Sequence, residues 1–286
     1  MTKTNSYPLI KAKAKAKELI SRYGVTELPV DPFDIAHKLD IQTCAKPSSQ
    51  KGGISGALVR SGNSFGILYA ANIPNIGYQR FTVAHEIGHY VLDGHMDHLQ
   101  LQDGGIHYSK AGFHGDRYER EADYFASQLL MPDSLFVKVL AANDDGMSAI
   151  KNLADRCQTS LTATAIRYAE TTDSASVIVV SEQDKILYTF FSDMAREFKL
   201  GYPRKNSPLP NTSITCEINR SEDPLQGRDG DTNIEDWFDC SFALQAREEV
   251  MRLGNYEKTL TVLTIDNDYE DITEDEDMLA SWEVKF

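Results

Sequence analysis

Apolar residues recur at helical spacing through the first half of the chain and run in strand-like blocks near its end. Residues from about Leu9 to Tyr23 are rich in Ala, Lys and Leu and predict a helix, with Gly24 ending it. Asp31-Pro32 opens a second helix through about Leu39, with Asp31 as N-cap and Pro32 in the first turn, where its missing N–H is no loss. Ile54–Arg60 and Phe65–Ala70 are short apolar runs around the turn-like Ser61-Gly62-Asn63-Ser64 and predict a hairpin. Phe81, Val83, Tyr90, Val91 and Leu92 mark a buried helix. Ala122, Phe125, Ala126, Leu129 and Leu130 form the core stripe of another. The glycine-rich stretch between them, Leu92 to about Gly115, is expected to be an irregular, lid-like connection. Ser148–Cys157 and Leu161–Glu170 are two short helical patterns around Gln158-Thr159-Ser160, a helix-turn-helix-like unit.

Beyond Thr172 the period changes. Val177–Val180 and Ile186–Phe191 flank Glu182-Gln183-Asp184-Lys185 and predict a second hairpin, and Thr259–Ile265 reads as a strong strand. Leu200–Pro210 and Ser221–Asp231 read as loops. The expected organisation is therefore a first domain over 1–146, a helical linker over 147–172 and a smaller C-terminal α/β domain over 173–286, giving an α+β protein of 286 residues.

Composition narrows the class. Hydrophobic content of 41% and charged content of 25% suit a globular protein, and the polar N-terminus lacks a signal-peptide core. No run is apolar enough for a membrane span. Cys44, Cys157, Cys216 and Cys240 are far apart and read as reduced thiols, so a cytoplasmic setting is expected. The net charge of −14 disfavours nucleic-acid binding and suits a basic protein partner. The second helix of the helix-turn-helix-like unit offers only Arg167, offset by Glu170, so it is expected to link or dock rather than read DNA. Lys11, Lys13, Lys15 and Lys17 predict a solvated helix face, and the acidic run Asp266–Asp277 a solvated loop.

The densest chemistry lies in His85-Glu86-Ile87-Gly88-His89. This is H-E-x-x-H on a helical segment, and six of the seven histidines fall between His85 and His114. Residues four apart share a helix face, so His85 and His89 can hold one metal ion while Glu86 acts as base on a water, the pattern of a zinc hydrolase. Zinc needs a third ligand, and three candidates compete. His95 lies ten residues after His85, the spacing of the long metzincin motif, but Leu92 stands where that motif needs glycine, and the glycine is Gly94. Glu119 and Asp123 share one side of the next helix, so Glu119 can complete the site while Asp123 orients a ligand imidazole. Glu121, two residues on, should face elsewhere. His107, Tyr108 and His114 are candidate oxyanion stabilisers. The second strand of the first hairpin, Phe65–Ala70, is a candidate edge for an extended substrate.

Arg80 through His89, followed by Glu119-Arg120-Glu121-Ala122-Asp123 through Met131-Pro132 and preceded by Leu28-Pro29-Val30-Asp31-Pro32-Phe33-Asp34-Ile35-Ala36, resembles the ImmA/IrrE family of metallopeptidases over roughly residues 8–170. The resemblance implies a zincin-like fold with His85, His89 and Glu119 as metal ligands and Glu86 as catalytic base. The expected metal is zinc, with manganese or another divalent ion as the alternative. It further implies an endopeptidase that cleaves a helix-turn-helix repressor and derepresses stress or mobile-element genes, with a sensor or docking role for the C-terminal domain. The family often has Asn where this chain has Asp123. A non-proteolytic binding protein or transcriptional regulator on a peptidase scaffold is the competing reading.

Overall fold

The computed structural model describes residues 7–46, 54–73, 75–99, 101, 104–110, 116–221, 227–241, 243–254 and 257–266. His114 and the acidic run from residue 267 onward lie outside the described residues. The chain divides into two units, residues 1–142 with 151–164 and residues 143–150 with 165–286. Both mix helix and sheet, as an α+β chain should.

The first unit begins with α1 (Tyr7–Arg22), which buries Ala12, Ala16, Leu19 and Ile20 at helical spacing. Its charged side faces outward, where Lys13 pairs with Asp133 at 2.7 Å. Next comes α2 (Pro32–Lys38), capped by the Asp31 carboxylate, which accepts from the Phe33 N–H at 2.9 Å. The expected hairpin forms from β2 (Ile54–Ser61) and β3 (Ser64–Tyr69), with Ser61 opposite Ser64. Two further strands join it. β1 (Ile41–Ala45) lies parallel to β3, and β4 (Ile106–Lys110) lies antiparallel to β2, giving the order β1-β3-β2-β4.

This order corrects two expectations. β3 is an internal strand with its main-chain groups engaged on both sides, so it cannot offer a free edge to a substrate. The connection from Leu92 to Gly115 is not irregular throughout, because it contains β4 and the single turn α4 (His95–His98). An edge strand of five residues in a His-, Tyr- and Ser-rich setting carries little periodic signal, and its pairing with β2 is made by main-chain groups.

Behind the sheet lie α3 (Ile76–Val91) and α5 (Arg117–Leu130). Val83, Ala84 and Ile87 of α3 are fully buried, as are Ala122, Phe125, Ala126, Leu129 and Leu130 of α5. Each large side chain so buried contributes about 1.5–3 kcal/mol. Gly88 is the point of closest approach. A Cβ there would lie 3.0 Å from Phe125 Cδ1 and 3.2 Å from Ala122 Cα, so any larger residue would push the two helices apart by a few tenths of an ångström. After α6 (Asp133–Leu140) come α7 (Met147–Cys157) and α8 (Leu161–Ala169), the expected helical pair.

The second unit is built on an antiparallel sheet of β5 (Ser176–Glu182), β6 (Lys185–Phe191), β7 (Arg228–Asn233), β8 (Gln245–Arg252) and β9 (Lys258–Ile265), ordered β6-β5-β9-β8-β7. β5 and β9 are central and buried along most of their length, which explains their unbroken apolar runs. Val177, Val179, Phe191, Trp237, Phe238 and Leu263 anchor the core. Part of the segment expected as a loop over Ser221–Asp231 is the start of β7, a polar edge strand. Among the described residues no helix is long and apolar enough to cross a membrane.

Candidate metal centre

The site grows from α3 and α5. Asn75 caps α3, its side chain accepting from the Tyr78 N–H at 3.0 Å, and fixes the phase of the helix. That phase puts His85, Glu86 and His89 inside, all three buried. Asp116 caps α5 by accepting from the Tyr118 N–H at 2.7 Å, so Glu119 falls in the first turn and Asp123 one turn later.

The three donor groups converge. His85 Nε2 and His89 Nε2 are 3.0 Å apart, Glu119 Oε2 is 3.4 Å from His85 Nε2, and Glu119 Oε1 is 3.3 Å from His89 Nε2. His85, His89 and Glu119 thus form a group that could hold a metal ion. The separations are close to the roughly 3.3–3.4 Å edge of a tetrahedron with arms of about 2.0–2.1 Å, the usual zinc geometry. Two imidazole nitrogens turned on each other beside a carboxylate are what a shared cation would organise, and the residues fit it. Asp123 Oδ1 stands 2.9 Å from His85 Nδ1, on the side of the ring away from Glu119.

The other candidates separate clearly. His95 is buried but stands outside the triangle, its Nδ1 3.1 Å from His89 Nδ1. Glu121 also points away from the centre, with Oε2 3.3 Å from His95 Nε2. On β4, alternation turns His107 toward the site, where its Nε2 lies 3.3 Å from Glu119 Oε1, while Tyr108 faces outward and is 48% exposed. Ser109, which no motif singled out, is buried on the same strand beside Glu86.

Electrostatics follow from this crowding. Burial would lower the His85 imidazole, but its hydrogen bonds to Asp123 and Glu119 and the Glu86 charge overcome that and push it up to about 10. His89 goes the other way, down to about 3, because burial dominates. Burial would raise Glu119, yet contacts with His107, His85 and His89 hold its carboxyl far below the usual range. Glu86 is raised, because burial outweighs the pull of His85, the Ser109 hydroxyl and His107. Its two oxygens are buried without a well-formed hydrogen bond, although Ser109 leans toward them. Such a carboxylate is costly unless something else, such as a water, engages it.

Two expected results arise here. With no metal bound, the neighbouring carboxylates of Asp123 and Glu119 favour a proton on His85, and a metal needs its Nε2 bare. Metal binding near pH 7 should therefore release about one proton, with affinity rising about tenfold per pH unit until pH nears about 10. Calorimetric titration in buffers of different ionisation enthalpy checks this, and a buffer-independent heat would contradict it. Second, Asp123→Ala should weaken metal binding by roughly 10–100-fold, while Asp123→Asn is milder because its amide oxygen still accepts from His85. Chelator competition decides, and wild-type affinity in Asp123→Ala would remove Asp123 from the centre.

Residues 36–168 match the family model Peptidase_M78, described as the IrrE N-terminal-like domain. A solved structure of a Mycobacterium tuberculosis transcriptional regulator is similar in fold, at 12% identity and a TM-score of 0.56, over 90% of this chain and 76% of that one. No curated protein matches the chain.

Proposed function

Because residues 36–168 form an IrrE N-terminal-like domain of the ImmA/IrrE metallopeptidase family, we propose that this protein is a zinc-dependent endopeptidase. Two imidazoles and one carboxylate suit zinc, with manganese or another divalent ion as the alternative occupant. The observation that carries the reading is Glu86, a wholly buried carboxylate set against the His85–His89–Glu119 group. A bound zinc ion supplies Lewis acidity, polarising a carbonyl and bringing the pKa of water down to about 7.

Glu86 then takes a proton from the attacking water and returns it to the departing amine. Burial raises its carboxyl, which makes it a stronger base for the first of these two transfers. His107, whose Nε2 lies 3.3 Å from Glu119 Oε1, would donate toward the carbonyl oxygen as negative charge develops there. β4 is the edge strand next to these groups, and an extended segment can add to it as a further strand. Its outward side chains Ile106 and Tyr108 are 47% and 48% exposed, an apolar surface for the substrate's own side chains.

The proposed substrate is a helix-turn-helix repressor, cut in the cytoplasm so that stress or mobile-element genes are released. A chain of net charge −14 draws a basic DNA-binding partner at long range. The second unit would sense a signal or dock that partner. The test is intact mass spectrometry of candidate repressors incubated with the protein and zinc. One internal, metal-dependent cut is expected. Tight binding of repressors that all stay intact would favour a non-proteolytic regulator on the same scaffold.

A further inference from the structure

His95, the displaced contender for metal ligand, is fully buried and sits between a ligand histidine and a carboxylate. Gly94 explains how it gets there. With φ of 79° the glycine adopts the left-handed conformation that lets the chain leave α3 and turn back, and the His95 N–H then donates to the Leu92 carbonyl at 3.3 Å. The turn comes two residues later than in the long metzincin motif. It therefore delivers the imidazole to the far nitrogen of His89 instead of to the metal face.

The proton arrangement follows from the distances. It rests on the reading of His85, His89 and Glu119 as metal ligands. His89 Nε2 is the nitrogen in the ligand triangle, so it is bare when a metal is bound, and a neutral His89 carries its proton on Nδ1. That Nδ1 faces His95 Nδ1 at 3.1 Å, and two like nitrogens at this distance need one donor and one acceptor. His95 Nδ1 must accept. Neutral His95 then carries its proton on Nε2, which faces Glu121 Oε2 at 3.3 Å. Glu121 Oε2 accepts there, and Arg117 Nε–H donates to its other oxygen at 2.5 Å. One direction of donation, from His89 to His95 to Glu121, satisfies every group. Tyr118 packs its ring edge against His95 at 5.0 Å between centroids and holds it in place.

We infer that His95 and Glu121 are positioning residues that fix the tautomer and orientation of His89, and so set the affinity of the centre for its metal. The two ligand histidines are then supported in different ways. His85 leans directly on Asp123, whereas His89 reaches its carboxylate through a second imidazole. Helix α5 supplies both carboxylates as well as the ligand Glu119, so metal binding and the packing of α3 on α5 are linked at three points.

The test uses the full chain loaded with zinc. In chelator competition His95→Ala should bind one zinc ion roughly 10–100-fold more weakly than wild type. His95→Asn, whose amide oxygen replaces the accepting Nδ1, should recover most of that loss, and Glu121→Gln should fall between. Nitrogen-15 spectra of histidine-labelled, zinc-loaded protein should show His89 protonated on Nδ1 and His95 on Nε2, a result that filling space alone would not impose. This tautomer readout and His95→Asn keep the inference testable if His95→Ala does not fold. Wild-type affinity in His95→Ala, equal weakness in folded His95→Ala and His95→Asn, or a proton on His95 Nδ1 would each overturn it. Failure of the wild-type chain to bind zinc, or undiminished binding by His85→Ala, would instead sink the metal centre itself.

Discussion

Glu86→Gln is expected to keep its fold and its metal and to lose cleavage by roughly 10²–10⁴-fold, the usual contribution of a positioned general base. The amide matches the carboxylate in shape, so the packing around position 86 survives. That packing is tight, because a Cβ added at Gly56 would come within 2.9 Å of Glu86 Oε1. The carboxylate makes no well-formed hydrogen bond that the amide would forfeit, and losing a buried charge can even steady the fold. Only the ability to take a proton from water is removed. Rates on a repressor substrate, with metal content measured on the same sample, decide the matter. Full activity in a metal-replete Glu86→Gln would end the proposed role of this residue.

Glu119→Gln should lose most of its metal, a larger effect than the roughly 10–100-fold expected for residues that only support a ligand. The carboxylate contributes one corner of the triangle and the only negative charge among the three donors. It is also the group on which His85, His89 and His107 converge. An amide offers a weaker donor and leaves the two imidazoles alone with the ion. His95→Ala and Glu121→Gln should still hold one ion when metal is in excess, because neither side chain belongs to the triangle. Plasma mass spectrometry of metal content, with circular dichroism to confirm folding, checks this. A metal-replete Glu119→Gln beside a metal-free His95→Ala would return the third ligand to His95.

What could be read along the chain was what local periodicity controls. His85 and His89 share a face because they are four apart on a helix, and Glu119 and Asp123 do so for the same reason. The apolar stripe from Ala122 to Leu130 and the blocks of β5 and β9 announced themselves because nearly every residue in them is buried. Strands β1, β4, β7 and β8 did not. β7 reads Arg-Asp-Gly-Asp-Thr-Asn, without an apolar residue, and pairs with β8 through its main chain. β8 hides its inward face because Glu248 occupies it, fully buried and accepting from the Thr215 N–H at 2.7 Å. A charged residue inside breaks the alternation on which strand recognition depends.

The sequence by itself determined that His85, Glu86 and His89 share one helical segment, and it supplied a short roster of groups that could join the two histidines. Only tertiary structure decided among that roster. Spacing left Glu119, His95 and Glu121 as rivals, because it says which residues share a face and not which faces meet. The close contact at Gly88 brings the first turn of α5 over α3 and places Glu119 beside His85 and His89. The left-handed turn at Gly94 sends His95 behind His89, and the phase of α5 sends Glu121 to meet it. Likewise β3 became internal only when β1, distant from the hairpin turn, paired with it and left β4 at the edge. Such pairings are made by main-chain groups common to every residue, so side-chain pattern cannot announce them.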